Sequence, residues 1–231
     1  MGDDAPGLHY EIERGFSLGR QQWRKLKRKA ARIGLKFSRK LEITDLVIPS
    51  TGKSTRRLRI ERTIGLDGTV RGVKLIRCAK SHPVAGKNGR HIRHEKENEI
   101  SLDAALAFVT RAVDQQEAAI PRYSKSRAEY TYAYAGFEMT ISFDHAVGLG
   151  RYSGRYMEIE TILPDKSPNV AEALTAIRNL ALLLLGKKYK GKISYRKMLM
   201  ATWNHSKAST SRKELARLRK EHRQLVRRAV A

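Results

Sequence analysis

Alternating apolar and polar positions predict that most of this chain consists of β-strands. In residues 9–18, Ile12 and Phe16 are offset from Glu11 and Glu13, as expected for a strand with one apolar and one polar face. Comparable patterns, bounded by Gly, Pro or Asp-Gly turn signals, cover residues 41–48, 56–64, 70–80, 90–100, 152–163 and two strands within 123–144. The sequence therefore predicts about eight strands, most of them antiparallel and joined by short turns.

Five segments show helical spacing instead. In residues 20–34, Trp23, Leu26, Ala30 and Ile33 recur on one side of a very basic helix before Gly34 ends the pattern. Similar apolar stripes follow Ser101, Pro168, Ser194 and Ser209. We expect an α+β fold with helices packed outside the sheet and a basic C-terminal helix. Residues 8–203 are predicted to form one domain and residues 204–231 a basic helical tail.

The chain carries a large excess of positive charge. Its 231 residues include 47 Lys and Arg against 23 Asp and Glu, a formal net charge of +24. Such a charge favours a polyanionic partner: nucleic acid, nucleotide, polyphosphate or an anionic membrane surface. Residues 1–8 lack a secretory pattern, and the most apolar run, residues 180–185, is too short to span a membrane. We therefore expect a soluble protein without a membrane partner.

The cysteine, histidine and tyrosine residues say less about function than the net charge does. Cys78 is the single cysteine, which excludes an internal disulfide and fits a reducing compartment, so we expect a cytoplasmic protein with Cys78 as a small packed residue. The seven histidines lack metal-ligand spacing and are expected at the surface. Tyr123, Tyr130, Tyr132 and Tyr134 lie in predicted strands, where aromatic residues usually serve packing.

Several predicted strands carry charged residues at a spacing of two, which places them on one face. A single charged pair is ordinarily the wet side of a half-buried sheet. Five such sets on strands of one sheet favour a charged, water-filled interior, where cations bind phosphate oxygens and carboxylates hold a divalent metal. The sets are Glu11 and Glu13; Arg57 and Arg59; Arg93, Glu95 and Glu97; Lys125 and Arg127; and Glu158 and Glu160.

These residues occur in an order that resembles the CYTH, or triphosphate-tunnel, family, which includes class IV adenylyl cyclases, thiamine triphosphatases and inorganic triphosphatases. Residues 10–14 (YEIER) resemble the N-terminal E-x-E signature, and Ser194-Tyr195 resembles the start of a late helix. Between them lie similar motifs: Thr44-Asp45, Arg57-Leu58-Arg59, Ala79-Lys80, Arg93-x-Glu95-x-Glu97, Lys125-x-Arg127, Asp144, Gly148-Leu149-Gly150 and Met157-Glu158-Ile159-Glu160. The resemblance covers roughly residues 8–203.

The resemblance implies a closed antiparallel eight-stranded β-barrel that processes a nucleoside triphosphate or inorganic triphosphate with Mg²⁺ or Mn²⁺. It assigns Glu11, Glu13 and Arg127 to catalysis. Phosphate binding would fall to Arg57, Arg59, Lys80, Arg93, Lys125 and Arg127. Metal binding would fall to Glu11, Glu13, Glu158 and Glu160, with Glu95, Glu97 and Asp144 as further candidates.

One position departs from the family pattern. The signature is E-x-E-x-K, but the lysine position is Gly15 here, and Arg14 is predicted to point to the opposite face of the strand. Lys74 or Lys96 are candidates to replace the missing lysine. Three functions stay open: hydrolysis of a phosphoanhydride bond, cyclisation of a nucleotide, and catalytically inactive binding of a nucleotide or an RNA 5′-triphosphate.

The basic helices add a further expectation. Residues 20–34 and the tail from residue 207 onward have the charge to contact the phosphate backbone of nucleic acid. The alternative is that both are solvated helical faces. No base-reading motif is visible in the sequence.

Overall fold

The computed structural model describes residues 9–48, 55–80, 92–164, 169–186, 190–191, 194–203 and 211–231, without the side chains of residues 9, 10, 27, 55, 80, 92–95 and 190. The elements are β1 (His9–Leu18), α1 (Arg20–Arg32), β2 (Lys36–Ile48), β3 (Thr55–Ile64), β4 (Val70–Lys80), β5 (Ile92–Glu99), α2 (Leu102–Gln116), β6 (Arg122–Tyr134), β7 (Phe137–Val147), β8 (Gly154–Pro164), α3 (Val170–Leu185), β9 (Lys190–Gly191), α4 (Tyr195–Thr202) and α5 (Arg212–Val230).

All strands belong to one antiparallel sheet. Their order is β5-β4-β3-β2-β6-β7-β8-β1, with the two-residue β9 beyond β1. β1 also pairs with β5 in a short stretch centred on Glu11 and Arg93, so the first and last of the eight long strands meet. The eight long strands and their antiparallel order agree with the pattern in the sequence.

β2 begins at Lys36, five residues before its predicted start. The first five residues of the strand are all exposed, and the pairing with β6 shifts between Phe37 and Arg39. Alternation of apolar and polar residues therefore could not reveal this part of the strand. The predicted turn at Gly136 is present: Ala135 and Gly136, with φ of 51° and 80°, connect β6 to β7.

The sheet carries most of its large apolar side chains on its outer face. α1 and α3 cover one group, which includes Ile12, Phe16, Ile141, Phe143, Met157 and Ile159. α2 and α5 cover another, which includes Leu46, Ile48, Leu58, Ile60 and Leu75. The hydrophobic core thus lies mainly between sheet and helices. The inner face carries charged side chains together with a few apolar ones, such as Leu41 and Ile43, which pair with Arg127 and Lys125.

α4 packs at one end of the inner face. Its Tyr195, Met198 and Leu199 form a buried cluster with side chains of β2, β6, β7 and β8. Gly150 makes room for the end of this helix, because a Cβ there would lie 2.9 Å from Cγ2 of Thr202. Gly148 has a φ of +83°, a conformation that other residues rarely adopt. These two requirements explain why the sequence Gly148-Leu149-Gly150 occurs between β7 and β8.

α5 packs on α2 through Leu218 and Val226. His222 is also buried, which corrects the expectation that the histidines lie at the surface. Its Nε2 accepts a hydrogen bond from the Ile120 amide at 3.1 Å, and its Nδ1 lies 2.8 Å from the Leu218 carbonyl oxygen. The ring satisfies buried backbone groups, a role that has no signature in the sequence.

None of the helices in the described part of the chain is both long enough and apolar enough to span a membrane.

Candidate active site

The inner face of the sheet is lined with charged side chains. Contacts between strands that are not neighbours define this face: Arg59 of β3 reaches Glu97 of β5, and Arg127 of β6 reaches Glu158 of β8. The described charged residues on it include Glu11, Glu13, Arg39, Asp45, Arg57, Arg59, Glu61, Lys74, Glu97, Glu99, Lys125, Arg127, Glu129, Asp144, Glu158 and Glu160.

Arg127 lies at the centre of the largest group of contacts. Its Nε and Nη2 each donate to a different oxygen of Asp144 at 2.7 Å, and Nη2 also donates to Glu158. Nη1 lies 3.5 Å from Glu129 Oε1. A bidentate pair between buried partners fixes the plane of the guanidinium group. The site therefore presents Arg127 in a defined orientation.

Lys125 and Tyr195 complete this group. The Lys125 ammonium lies 3.4 Å from Asp144 Oδ2 and 5.0 Å from the centre of the Tyr195 ring, whose hydroxyl donates to the same oxygen at 2.7 Å. Burial and then the charge of Arg127 lower the pKa of Lys125. Burial alone would raise the pKa of Asp144, but the charges of Arg127 and Lys125 outweigh it and lower that pKa. Asp144 is thus held as a carboxylate.

A second group centres on Asp45, which is fully buried. Arg59 Nε donates to its Oδ1 at 3.1 Å, Arg57 Nε lies 3.5 Å from the same oxygen, and the Tyr123 hydroxyl donates to Oδ2 at 2.6 Å. Although burial opposes ionisation, the charges of Arg59 and Arg57 hold the pKa of Asp45 well below its ordinary value. The second group therefore keeps two guanidinium groups side by side on the inner face.

Glu97 connects the two arginines to Cys78. Its Oε1 accepts from Arg59 at 3.1 Å and lies 3.3 Å from the Cys78 sulfur. Cys78 is buried, as expected for a small packed residue. Burial raises the pKa of its thiol to about 12, although Arg57 and Arg59 act in the opposite direction.

We expect the Cys78 thiol of the folded protein to react negligibly with Ellman's reagent at pH 8. A buried thiol with a pKa near 12 contains very little thiolate at that pH. The measurement compares reaction rates with and without a denaturing concentration of guanidinium chloride, where full reaction is the control. Complete labelling of the native protein within minutes would contradict this prediction.

Three carboxylates converge on β1 and β8. One oxygen each of Glu11, Glu13 and Glu160 lies within 4.8 Å of the other two. Glu11 is buried and the other two are partly exposed, so the cluster is reachable from solvent. Three carboxylate oxygens at such spacing are the donor set that hard divalent cations prefer. The residues present therefore fit a divalent metal ion.

The other predicted metal ligands are placed differently. Asp144 and Glu158 are engaged by Arg127, and Glu97 lies beside Arg57 and Arg59. Their assignment as ligands stays a prediction. The predictions for the Lys80, Arg93 and Glu95 side chains lie outside the described side chains.

The strand register locates the position of the missing lysine. Gly15 lies on the inner face and pairs with Glu158, whereas Arg14 pairs with Ile159 on the outer face, as predicted. Of the two candidates to replace the lysine, Lys74 is on the inner face and pairs with Glu99 at 3.1 Å. Lys96 is exposed and shares the outer face with Ala79.

Several inner-face residues were not identified from sequence. Tyr123 was expected only to pack, yet its hydroxyl holds Asp45. Arg39 was also missed; it donates to Glu129 at 2.6 Å and lies 3.8 Å from Glu61. Glu129 continues the spacing of two from Lys125 and Arg127 and could have been found by that signal. Arg39 could not, because it follows the irregularity in β2.

No family model matches the sequence, and no curated protein matches it. Solved structures do match. PH1819 from Pyrococcus horikoshii OT3 superposes with a TM-score of 0.62 at 22% identity, covering 84% of this chain and 99% of that one. PH1012 from the same organism gives 0.56 at 20% identity, covering 80% and 98%.

A third similar structure is HpAC1 from Hippeastrum, assigned as an adenylyl cyclase and described as having a dominant triphosphatase activity. It superposes with a TM-score of 0.51 at 15% identity and covers 86% of this chain and 98% of its own. At these identities the likeness concerns the fold. Together with the charged inner face, it shows that the chain has the triphosphate-tunnel (CYTH) fold that its sequence motifs resemble.

Proposed function

We propose that this protein is a metal-dependent enzyme that hydrolyses a phosphoanhydride bond of a nucleoside triphosphate or inorganic triphosphate. One observation carries the proposal: the Glu11, Glu13 and Glu160 carboxylates share one face of the sheet with the buried cations Lys125 and Arg127. Acidic and basic groups on one common face suit a ligand that is itself anionic and arrives with metal.

The cations are assigned to the phosphate chain. Arg57, Arg59, Lys125 and Arg127 would supply donors for the non-bridging oxygens, and the curled sheet would place them around the phosphate chain. Arg127 is held by Asp144 before the ligand arrives, so little reorganisation accompanies binding. Such fixed donors stabilise the charge that develops on the transferred phosphoryl group.

The carboxylates of Glu11, Glu13 and Glu160 are assigned to Mg²⁺ or Mn²⁺. When bound, such an ion neutralises phosphate charge and lowers the pKa of a bound water. Glu11 and Glu13 would hold the ion and its water near the chain, and Glu160 would complete the set from β8. The dominant triphosphatase activity described for HpAC1, which has the same fold, supports hydrolysis over cyclisation.

The test is product analysis with ATP and inorganic triphosphate, each with Mg²⁺, with Mn²⁺ and with a chelator. We expect orthophosphate to be released with metal and not with chelator. Cyclic nucleotide with pyrophosphate would replace the proposal by nucleotide cyclisation. Binding without any turnover would make the tunnel a receptor.

Gly15 is the observation that favours the receptor, because the strand position that pairs with Glu158 carries no side chain where the family signature has a lysine. If the protein is an enzyme, Gly15→Lys is expected to raise kcat by at least about tenfold, since one added charge would act on the transition state. Gly15→Met is the control for side-chain length without charge. Equal turnover of the lysine variant and the unsubstituted protein would show that this position does not limit catalysis.

A further inference from the structure

α1 carries a density of positive charge that its packing does not explain. Seven of its 13 residues are Lys or Arg and none is acidic. Leu26 and Ala30 are buried against the core, whereas five of its cations are exposed: Arg20, Arg24, Lys25, Arg28 and Arg32. Among the described residues, none of the five forms an ion pair with an acidic side chain.

This arrangement works against the stability of the helix. Arg24 and Arg28, and Arg28 and Arg32, are like charges four residues apart, which repel each other on a helix surface. Arg20 and Arg24 lie near the N-terminus of the helix, where the dipole disfavours cations. The charges therefore point to a partner that neutralises them.

α5 provides a contrast within the same chain. Its Arg217 contacts Glu214 and lies 2.7 Å from Glu221, and its Arg219 lies 2.5 Å from Asp114. Part of the positive charge of α5 is thus balanced by neighbouring acids. α1 is distinguished by the absence of such partners in the described residues and not by charge alone.

Aromatic rings lie beside the C-terminal end of α1. Phe37, at the start of β2, is 46% exposed and meets the edge of Tyr130 with 5.7 Å between ring centres. Tyr132 and Tyr134 are partly exposed and stack on each other with 6.2 Å between ring centres, at the end of β6 directly before the β6–β7 turn. The three tyrosines and Ile33, which caps the C-terminus of α1, pack at the edge of the same apolar cluster, and Phe37 adjoins it through Tyr130.

We propose that α1, the start of β2 and the end of β6 form a binding surface for single-stranded nucleic acid. The cations would contact successive phosphates, and the exposed aromatic rings would stack on unpaired bases. Neither kind of contact requires a particular nucleotide sequence, which agrees with the lack of a base-reading motif. This inference does not depend on the chemistry proposed for the tunnel.

Two other anionic partners fit less well. A helix that inserts into a membrane surface needs a free apolar face, but Leu26 and Ala30 are about 97–98% shielded by the protein, at 3% and 2% exposure. A nucleic-acid duplex keeps its bases stacked, so it would leave the exposed Phe37 ring without a partner. The combination of unpaired cations and exposed rings therefore favours a single strand.

The test measures binding of the full-length protein to fluorescent oligouridylate and oligothymidylate of about 12 nucleotides, a length within the usual site size. Both carry a 5′-hydroxyl, so that no triphosphate engages the tunnel. The triple variant Arg24→Glu, Lys25→Glu, Arg28→Glu is expected to bind at least about tenfold more weakly. Its slope of log K against log salt should be smaller by about two, because three phosphate contacts are lost.

The control is a matched triple variant of α5, Lys213→Glu, Lys220→Glu, Arg227→Glu, which changes net charge equally and should retain most of the binding. Phe37→Ala should weaken binding by about fivefold or more without changing the salt slope. Melting temperatures of all variants verify folding. Equal losses in both triple variants, no effect of Phe37→Ala, or preferential binding to a duplex or to phosphatidylserine vesicles would overturn the inference.

A tunnel variant separates this inference from the proposed enzyme. The double variant Glu13→Gln, Glu160→Gln should bind the oligonucleotides as the unsubstituted protein does. Loss of oligonucleotide binding in this variant would show that the strand enters the tunnel and would overturn the surface on α1. Retained binding leaves the surface in place whether or not the tunnel hydrolyses triphosphate.

Discussion

Replacing Glu13 and Glu160 with glutamine is expected to abolish metal-dependent release of orthophosphate. The two side chains supply two of the three carboxylates that converge on β1 and β8. Glutamine keeps the size of the side chain but removes its charge, and so weakens metal binding. A bound metal ion stabilises the charge of the transition state by several kcal/mol. We therefore expect kcat/KM to fall by at least about a thousandfold.

Glu99→Gln is the matched control, because Glu99 is a carboxylate at an exposed inner-face position, paired with Lys74. It should retain most of the activity. Binding of Mn²⁺, followed by electron paramagnetic resonance, gives a readout that does not depend on turnover. A double variant that still bound Mn²⁺ and still released orthophosphate would show that the metal is held elsewhere.

Asp144→Asn should lower the free energy of unfolding by several kcal/mol. Asp144 is fully buried and pairs with both Arg127 and Lys125, so the substitution removes the carboxylate that these two buried cations share and leaves Glu158 as their common countercharge. Breaking a buried ion pair at one partner typically costs about 3–5 kcal/mol. For a chain of this size that corresponds to a melting temperature lower by roughly 10 °C at pH 7. Calorimetry and urea unfolding measure both quantities.

The pH dependence of this loss is a second test of the same pair. The pKa of Asp144 is lowered in the folded protein, so its contribution to stability is complete above the ordinary value of 3.8 and disappears as the pH falls through the folded value. The difference in unfolding free energy between the two proteins should therefore stay level from pH 7 down to about pH 4 and shrink as the pH falls further below 3.8. A difference that stayed constant below pH 3.8 as well would contradict the ion-pair explanation.

The fold could be predicted largely from local patterns. Alternation identified the long strands because their outer face is apolar and their inner face is charged, and helical stripes such as Leu26 and Ala30 identified the covering helices. The first residues of β2 were not predicted as strand because both faces of that segment are exposed. The burial of His222 was not predicted because it depends on where α5 packs, which no local pattern encodes.

The candidate site could be predicted in part. A spacing of two correctly placed Lys125 with Arg127 and Glu158 with Glu160 on one face of the sheet. Which acid meets which base depends on strand order and curvature: Arg127 reaches Glu158 across the intervening strand β7. Tyr195 lies 51 residues from Asp144 on a separate helix, so their hydrogen bond has no signature in the sequence beyond the resemblance.

The packing of α4 against one end of the inner face has a consequence for polymeric substrates. Tyr195 stacks on Tyr123 with 5.3 Å between ring centres and meets Tyr156 edge-on at 5.4 Å, so three rings cover that end. A passage covered at one end admits the terminus of a linear chain and does not let its middle thread through. Under the proposed function, a long polyphosphate would therefore be shortened stepwise from its ends, so that orthophosphate would appear from the start while the average chain length declined gradually.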